Sequence, residues 1–304
     1  MISKYTYKGL VWIDLESPSK EEIMSLMDEY RLPVLVGEEM FNPTLRSKVD
    51  LYENLVYTVL HFPVLKPGIT ENALEREVDF VIGKKFMITV HYETVDPLHE
   101  FSKLFEINSF LDKSEIGDHA GFLFFHALKE LYKHTQFELD ELHELIRSIE
   151  HQIFSHREGE MVRAISKANR VLIDFKRAIH YHGDILQSLE TTLKEFIGPH
   201  FIFYIRNIES ERNRIQSTLD RHHDIITDLR ETNDSLLNEK TNKVIKRLTI
   251  FSIITLPASM IAWIFSMHSQ FLALDEIDNL VMVFGAMILS SIIVVYYLWK
   301  KRWL

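Results

Sequence analysis

"LTIFSIITLPASMIAWIFSM", residues 248–267, is a run of twenty residues without one charged side chain. At ~1.5 Å rise per residue, a helix of that length covers the ~30 Å hydrocarbon core of a bilayer. Residues 279–299, twenty-one positions from Asn279 to Trp299, carry no charge either. A buried core hairpin of a soluble protein is the alternative, and it fits poorly with so long an absence of charge. The flanks orient the two spans. Lys240, Lys243, Lys246 and Arg247 precede the first, Lys300, Lys301 and Arg302 follow the second, and the link between them carries only Asp275, Glu276 and Asp278. Basic residues stay on the cytoplasmic side. Both termini are therefore expected in the cytoplasm, with residues 268–278 as an external loop and 300–304 as a basic cytosolic tail.

The first span is not uniformly apolar. At about 100° per residue, Thr249, Ser252, Thr255, Ser259 and Ser266 share one arc of about 120°, Trp263 lies on it, and Asn242 falls close to it upstream. Ile250, Ile253, Ile254, Pro257, Ile261 and Ile264 make the opposite face. Two readings stay open. The hydroxyls bond back to their own helix or glue neighbouring helices, or they line water. One chain with two spans cannot enclose water, so the second reading requires an oligomer with this helix innermost. The second span, with Gly285, Ala286, Ser290 and Ser291 among larger apolar residues, would then be the outer helix, and its Ala286-xxx-Ser290 pair suits close packing. Pro257 is expected to bend the first span.

The rest of the 304-residue chain is charged and amphipathic. A net charge of −10 and a pI near 5.8 disfavour nucleic acid as a partner. With no cysteine there are neither disulfides nor thiolate metal sites, which fits a reducing cytoplasm. The opening "MISKYTYKGLVWIDLESPSKEEI" has no apolar core, so no signal peptide is expected. Residues 1–115 read as an α/β domain. "GLVWIDL" is a strand, Ser19-Lys20-Glu21-Glu22 is a capping box opening a helix to about Tyr30, and residues 49–65 and 77–92 are β-rich with a turn at Gly83-Lys84-Lys85. The sheet is expected to be mixed or mostly parallel. Residues 116–199 form a helical hairpin, broken near His156-Arg157-Glu158-Gly159 and ended at Gly198-Pro199. From about His200 no proline or glycine occurs before Pro257, so a stalk helix, 200–247, should run unbroken into the span 248–267.

These residues together carry a family resemblance. The "WIDL" and "SPSKEEI" of the first domain, the pair "VDLYENLVYTVLHFPV" and "FVIGKKFMITVH", the stalk "NEKTNKVIKRLTIFSIITLPASMIAWIFSMH" and the tail "YYLWKKRWL" resemble the CorA family of divalent-cation channels over essentially the whole chain. The resemblance implies a funnel: an α/β cytosolic domain, a long helical stalk and two C-terminal transmembrane helices, assembled as a homopentamer in the plasma (inner) membrane. It implies passive flux of Mg²⁺, with Zn²⁺, Co²⁺ or Ni²⁺ as alternatives, and no other cofactor. The pore would be lined by Asn242, Thr249, Ser252, Leu256, Ser259, Trp263 and Ser266, and gated by apolar rings at Leu248 and Leu256 that can dewet.

The chain departs from the family at its signature. Where CorA proteins end the first span in Gly-Met-Asn, this one has Ser266-Met267-His268. These three, with Asp275 and Glu276 attracting cations, would form the external mouth. An amide oxygen suits hydrated Mg²⁺, whereas imidazole suits Zn²⁺, Ni²⁺, Co²⁺ or Cu²⁺ better. His268 is accordingly the candidate metal residue. Trp263 stands where the family has a glycine three positions before the signature, and Asn207 stands where relatives carry an aspartate of an inhibitory metal site between subunits. Gating by intracellular Mg²⁺ is therefore expected to be weakened or absent.

Other clusters are poorer candidates. His143 and His151 are eight residues apart rather than four, which spoils a zinc-peptidase face. His180 and His182 lie about 200° apart on a helix and His222-His223 are adjacent, so neither is a chelating pair, and all four are expected on solvated faces. Asp228, Glu231 and Asp234 either gather cations or simply solubilise the stalk. No nucleophile elbow, phosphate loop or dinucleotide fingerprint occurs, so the chain is not expected to be an enzyme. Two functions remain: passive cation transport, favoured by the hydroxyl stripe, or a degenerate channel kept as a membrane-anchored sensor of a cytosolic ligand or an effector, favoured by Trp263 and His268.

Overall fold

The structure, a computed structural model, describes residues 1–65, 74–106, 119–267 and 277–301. The first elements are β1 (Ile2–Tyr7), β2 (Leu10–Glu16), α1 (Lys20–Tyr30), α2 (Val34–Glu39), β3 (Lys48–Leu51), β4 (Val56–Val64), β5 (Leu74–Ile82), β6 (Phe86–His91) and α3 (Asp96–Glu106). The helices that follow are α4 (Gly121–Phe154), α5 (Glu158–Phe196), α6 (Ile202–Met267) and α7 (Ile277–Lys300). Local chemistry sets several boundaries. The Ser19 side chain accepts from the Glu22 amide at 3.2 Å while the Glu22 carboxylate accepts from the Ser19 amide at 2.8 Å, so the capping box closes reciprocally at the start of α1. His156, left-handed at φ 67°, separates α4 from α5, and Gly198 at φ 134° ends α5.

The six strands lie in the order β1-β2-β6-β5-β4-β3, and β2 with β6 is the parallel pair while the other four pairings are antiparallel. Of the two expected arrangements, mixed or mostly parallel, the sheet is the mixed one, and most of its pairings are antiparallel. Short reversals such as Lys8-Gly9 and Gly83–Lys85 fold each strand back on its neighbour, and a parallel pairing needs the long crossover that only β2 to β6 provides. One face of the sheet packs Ile13, Leu15, Val59, Val81, Ile88 and Val90 against Ile23, Leu26 and Val36 of α1 and α2. On the other face the Phe80 ring meets Phe124 of α4 edge-on at 5.1 Å, and Phe62 meets Tyr132 of α4 and His182 of α5.

His182 is fully buried rather than solvated. Its Nε2–H donates to the carbonyl of His61 at 3.0 Å and its Nδ1 accepts the Tyr132 hydroxyl at 2.8 Å. Burial lowers its pKa to about 3, so the ring is neutral and ties β4, α4 and α5 together. His180, two residues earlier, is exposed as expected. The second correction is His222, which is also buried.

Two compact units emerge, Met1–Glu231 and Thr232–Leu304. Helix α6, 66 residues long, contributes to both. Within the first unit it presents Ile205, Ile208, Ile215, Leu219, Ile226 and Leu229, a buried stripe at helical spacing, and ion pairs to α5 join Arg206 to Glu190 at 2.9 Å and Lys176 to Asp220 at 2.8 Å.

Candidate ion pathway

The second unit contains the C-terminal part of α6 and α7. Its two helices are long and apolar enough to cross a membrane, and none of the apolar window in α6 is buried. A core helix of a soluble protein would be covered. From residue 238 to 249 every α6 residue is exposed, including Asn242, Leu248, Thr249 and the basic flank of Lys240, Lys243, Lys246 and Arg247. At the far end of α7, Tyr296 and Trp299 pair at 6.5 Å and Lys301 lies over Tyr297, an aromatic and basic border of the kind found at a membrane interface.

Within the span the two faces of α6 differ. Ile250, Ile254, Pro257, Ala258, Ile261 and Phe265 are half-buried and recur at helical spacing. This is the face that α7 covers: the Ser291 hydroxyl reaches the Ile254 carbonyl at 3.4 Å, and Ala258 shares an apolar recess with Met287, Ser291 and Val295. Ser291 makes the close approach, while Ala286 of the expected Ala286-xxx-Ser290 pair is exposed. Thr249, Ser252, Thr255, Ser259 and Ser266 all lie on the other side and are exposed, together with Leu256 and Trp263.

The hydroxyl protons are used locally. Thr249 donates to the Ile245 carbonyl at 2.8 Å, Ser252 to Leu248 at 2.9 Å, Thr255 to Phe251 at 3.0 Å and Ser259 to Leu256 at 2.8 Å. Back-bonding therefore occurs, and it leaves the oxygen lone pairs as the polar groups this face presents. Such a face accepts hydrogen bonds from water, including water around a cation. Helix α6 continues through Pro257, whose missing amide hydrogen leaves one carbonyl of the preceding turn without its helical donor.

The expected mouth falls mostly outside the described residues: His268, Asp275 and Glu276 lie there, and Met267 is placed only as the last residue of α6. Among the described residues no three His, Asp or Glu side chains gather into a metal cage. One grouping escaped sequence reasoning altogether, the approach of His143 on α4 to His222 on α6; no spacing along either helix signals it.

The chain has the architecture of an α/β domain followed by long helices, the last two long and apolar enough to cross a membrane. It belongs to the CorA family: the model of the CorA-like Mg²⁺ transporter protein matches residues 7–302. Among curated proteins it is 24% identical to the cobalt/magnesium transport protein CorA of Thermotoga maritima over 295 residues, covering 96% of this chain and 83% of that one. It is likewise 24% identical to the magnesium transport protein CorA of Campylobacter jejuni over 312 residues, covering 98% and 92%. The complete CorA magnesium transporter structure from Methanocaldococcus jannaschii superposes with a TM-score of 0.83 at 18% identity, covering 100% of this chain and 98% of that one. The expected fold class is thereby met, and membership sets the chain among transporters rather than enzymes.

Proposed function

We propose that the chain transports a divalent cation passively, as a homopentamer whose central pore is lined by the hydroxyl face of α6. The observation that carries this reading is the division of the span: α7 lies on the face of Ile250, Ile254 and Ile261, and the hydroxyl face has no cover among the described residues. A polar face cannot be left to lipid without cost, and symmetric copies around an axis would bring it to water. In that arrangement Asn242, Thr249, Ser252, Leu256, Ser259, Trp263 and Ser266 line the path, Leu248 and Leu256 are the constrictions, and residues 248–267 and 279–299 cross the plasma membrane with both termini inside. Ser266, Met267, His268, Asp275 and Glu276 form the outer mouth. The bacterial relatives named above transport magnesium, and cobalt in one case, so Mg²⁺ and Co²⁺ are the first candidates. Five imidazoles at position 268 would add Zn²⁺ and Ni²⁺, because nitrogen suits those ions.

Native mass spectrometry of the detergent-solubilised chain tests the assembly: five subunits are expected, and a stable monomer or dimer would contradict the pore. In proteoliposomes, His268→Asn should raise Mg²⁺ flux relative to Ni²⁺ flux. It should also flatten the decline of flux on external acidification, since protonated imidazoles repel cations and an amide does not titrate. Identical selectivity and pH profile in mutant and parent would remove His268 from the mouth.

A further inference from the structure

We propose that His143 of α4 and His222 of α6 form a binding site for a borderline transition-metal cation, of the Zn²⁺, Ni²⁺, Co²⁺ or Cu²⁺ class, that bridges the two helices within the first compact unit. The two helices run parallel here. The rings of Phe125 and Tyr204 meet at 5.1 Å, and five turns further along both helices the rings of His143 and His222 meet at 5.3 Å, nearly parallel at 17°. The repeated register means that the imidazoles face each other through the packing of α4 on α6, not through a chance surface rotamer.

His222 is 5% exposed, and the Nδ1 atoms of both rings are buried without a hydrogen-bond partner among the described residues. His182 shows the contrast. There, in the same unit, both ring nitrogens are satisfied, at 2.8 and 3.0 Å. A buried polar atom with no partner calls for an occupant. Burial, then the facing His143, then Arg221 hold His222 below the usual imidazole range, with Asp140 opposing them. Arg221 itself is turned to Ser217 and Thr218, with its guanidinium 2.8 Å from the Thr218 hydroxyl. Asp140, three residues before His143 on α4, accepts from the Gln136 side chain at 3.1 Å.

Two nitrogen ligands with no oxygen cage disfavour Mg²⁺, which demands oxygen. Since no three His, Asp or Glu side chains converge among the described residues, water must complete the coordination, and the site is open and exchangeable rather than a closed structural one. Its occupancy would link α4 to the helix that continues as the membrane span.

Calorimetric titration of Ni²⁺ into the full-length His268→Asn protein in detergent tests this without reference to transport, so it stands or falls apart from the pore reading. One Ni²⁺ per chain should bind at pH 7, unaffected by excess Mg²⁺. Affinity should fall at least about tenfold, by roughly 1.4 kcal/mol, in both His143→Gln and His222→Gln and stay unchanged in His223→Gln, an exposed neighbour. An isotherm equal to the parent's in either of the first two variants would overturn the proposal and leave water as the occupant. A second measurement needs no substitution at the site. Ni²⁺ should protect His143 and His222 from diethyl pyrocarbonate, read by mass spectrometry, and equal labelling with and without Ni²⁺ would also overturn it.

Discussion

Residues 202–231 and 232–267 lie on one continuous helix, yet they are built for different surroundings. The first stretch buries six aliphatic side chains at helical spacing against helices of its own chain and fixes them with ion pairs to α5. From residue 238 on, the second leaves Leu248, Phe251 and Trp263 about two-thirds exposed, at 64%, 64% and 66%, and is half-buried along the one face that meets α7. Unbroken helix geometry therefore says nothing about what a helix touches. The first stretch is covered by its own chain, whereas the hydroxyl face of the second is uncovered among the described residues, and the proposed pentameric pore rests on that difference.

That contrast can be broken by paired deletions. Phe175 of α5 is fully buried, and Phe175→Ala should cost ~3–5 kcal/mol of stability in the first unit. Phe251→Ala, the same deletion in the exposed span, should shift that unfolding transition by less than ~0.5 kcal/mol and should instead lower the proportion of assembled oligomer. Denaturant melts of the two full-length variants, followed by sizing, decide it: equal destabilisation would mean that the span is packed within the subunit after all.

A smaller effect sharpens the same comparison through pH. His182 is neutral in the folded unit with a pKa of about 3, while an unfolded histidine titrates near ~6.5. Between those values the unfolded chain holds the extra proton, so this group removes stability as pH falls, at ~1.4 kcal/mol per pH unit, or roughly 2 kcal/mol from pH 7 to 5. His182→Gln should lower stability at pH 7 but lose less on acidification than the parent. Parallel pH slopes in urea melts of the two proteins would show that His182 is not the buried neutral tie between β4, α4 and α5.

The parts of this molecule legible in the sequence are those decided locally. Ser19 and Glu22 announce their capping box, Gly198 its helix end, and the hydroxyl periodicity of residues 249–266 the polar face, because each depends on neighbours within a few turns. Tertiary decisions were not legible. His182 reads as a surface histidine until Tyr132, fifty positions away, and the His61 carbonyl close around it, and the pairing of His143 with His222 joins two helices with no shared motif. The choice between a mixed and a mostly parallel sheet was open for a related reason: strand and helix signals alternate along residues 1–115, but hairpin reversals rather than helical crossovers set most pairings. On α7, small residues mark several possible contacts, and only the packed pair distinguishes Ser291 from Ala286.

The central claim is that the uncovered hydroxyl face of α6 carries the ion, and divalent-cation uptake into proteoliposomes by face-specific variants tests it most directly. Ser252→Leu and Ser259→Leu replace oxygen lone pairs on the exposed face with bulk, and each should cut Mg²⁺ or Co²⁺ flux by about tenfold or more. Ile254→Leu and Ile261→Leu, on the face toward α7, should leave it within about twofold, since the swap conserves volume. Equal losses on both faces, or no loss at Ser252 and Ser259, would mean that the hydroxyls serve the helix alone and that the pore lies elsewhere.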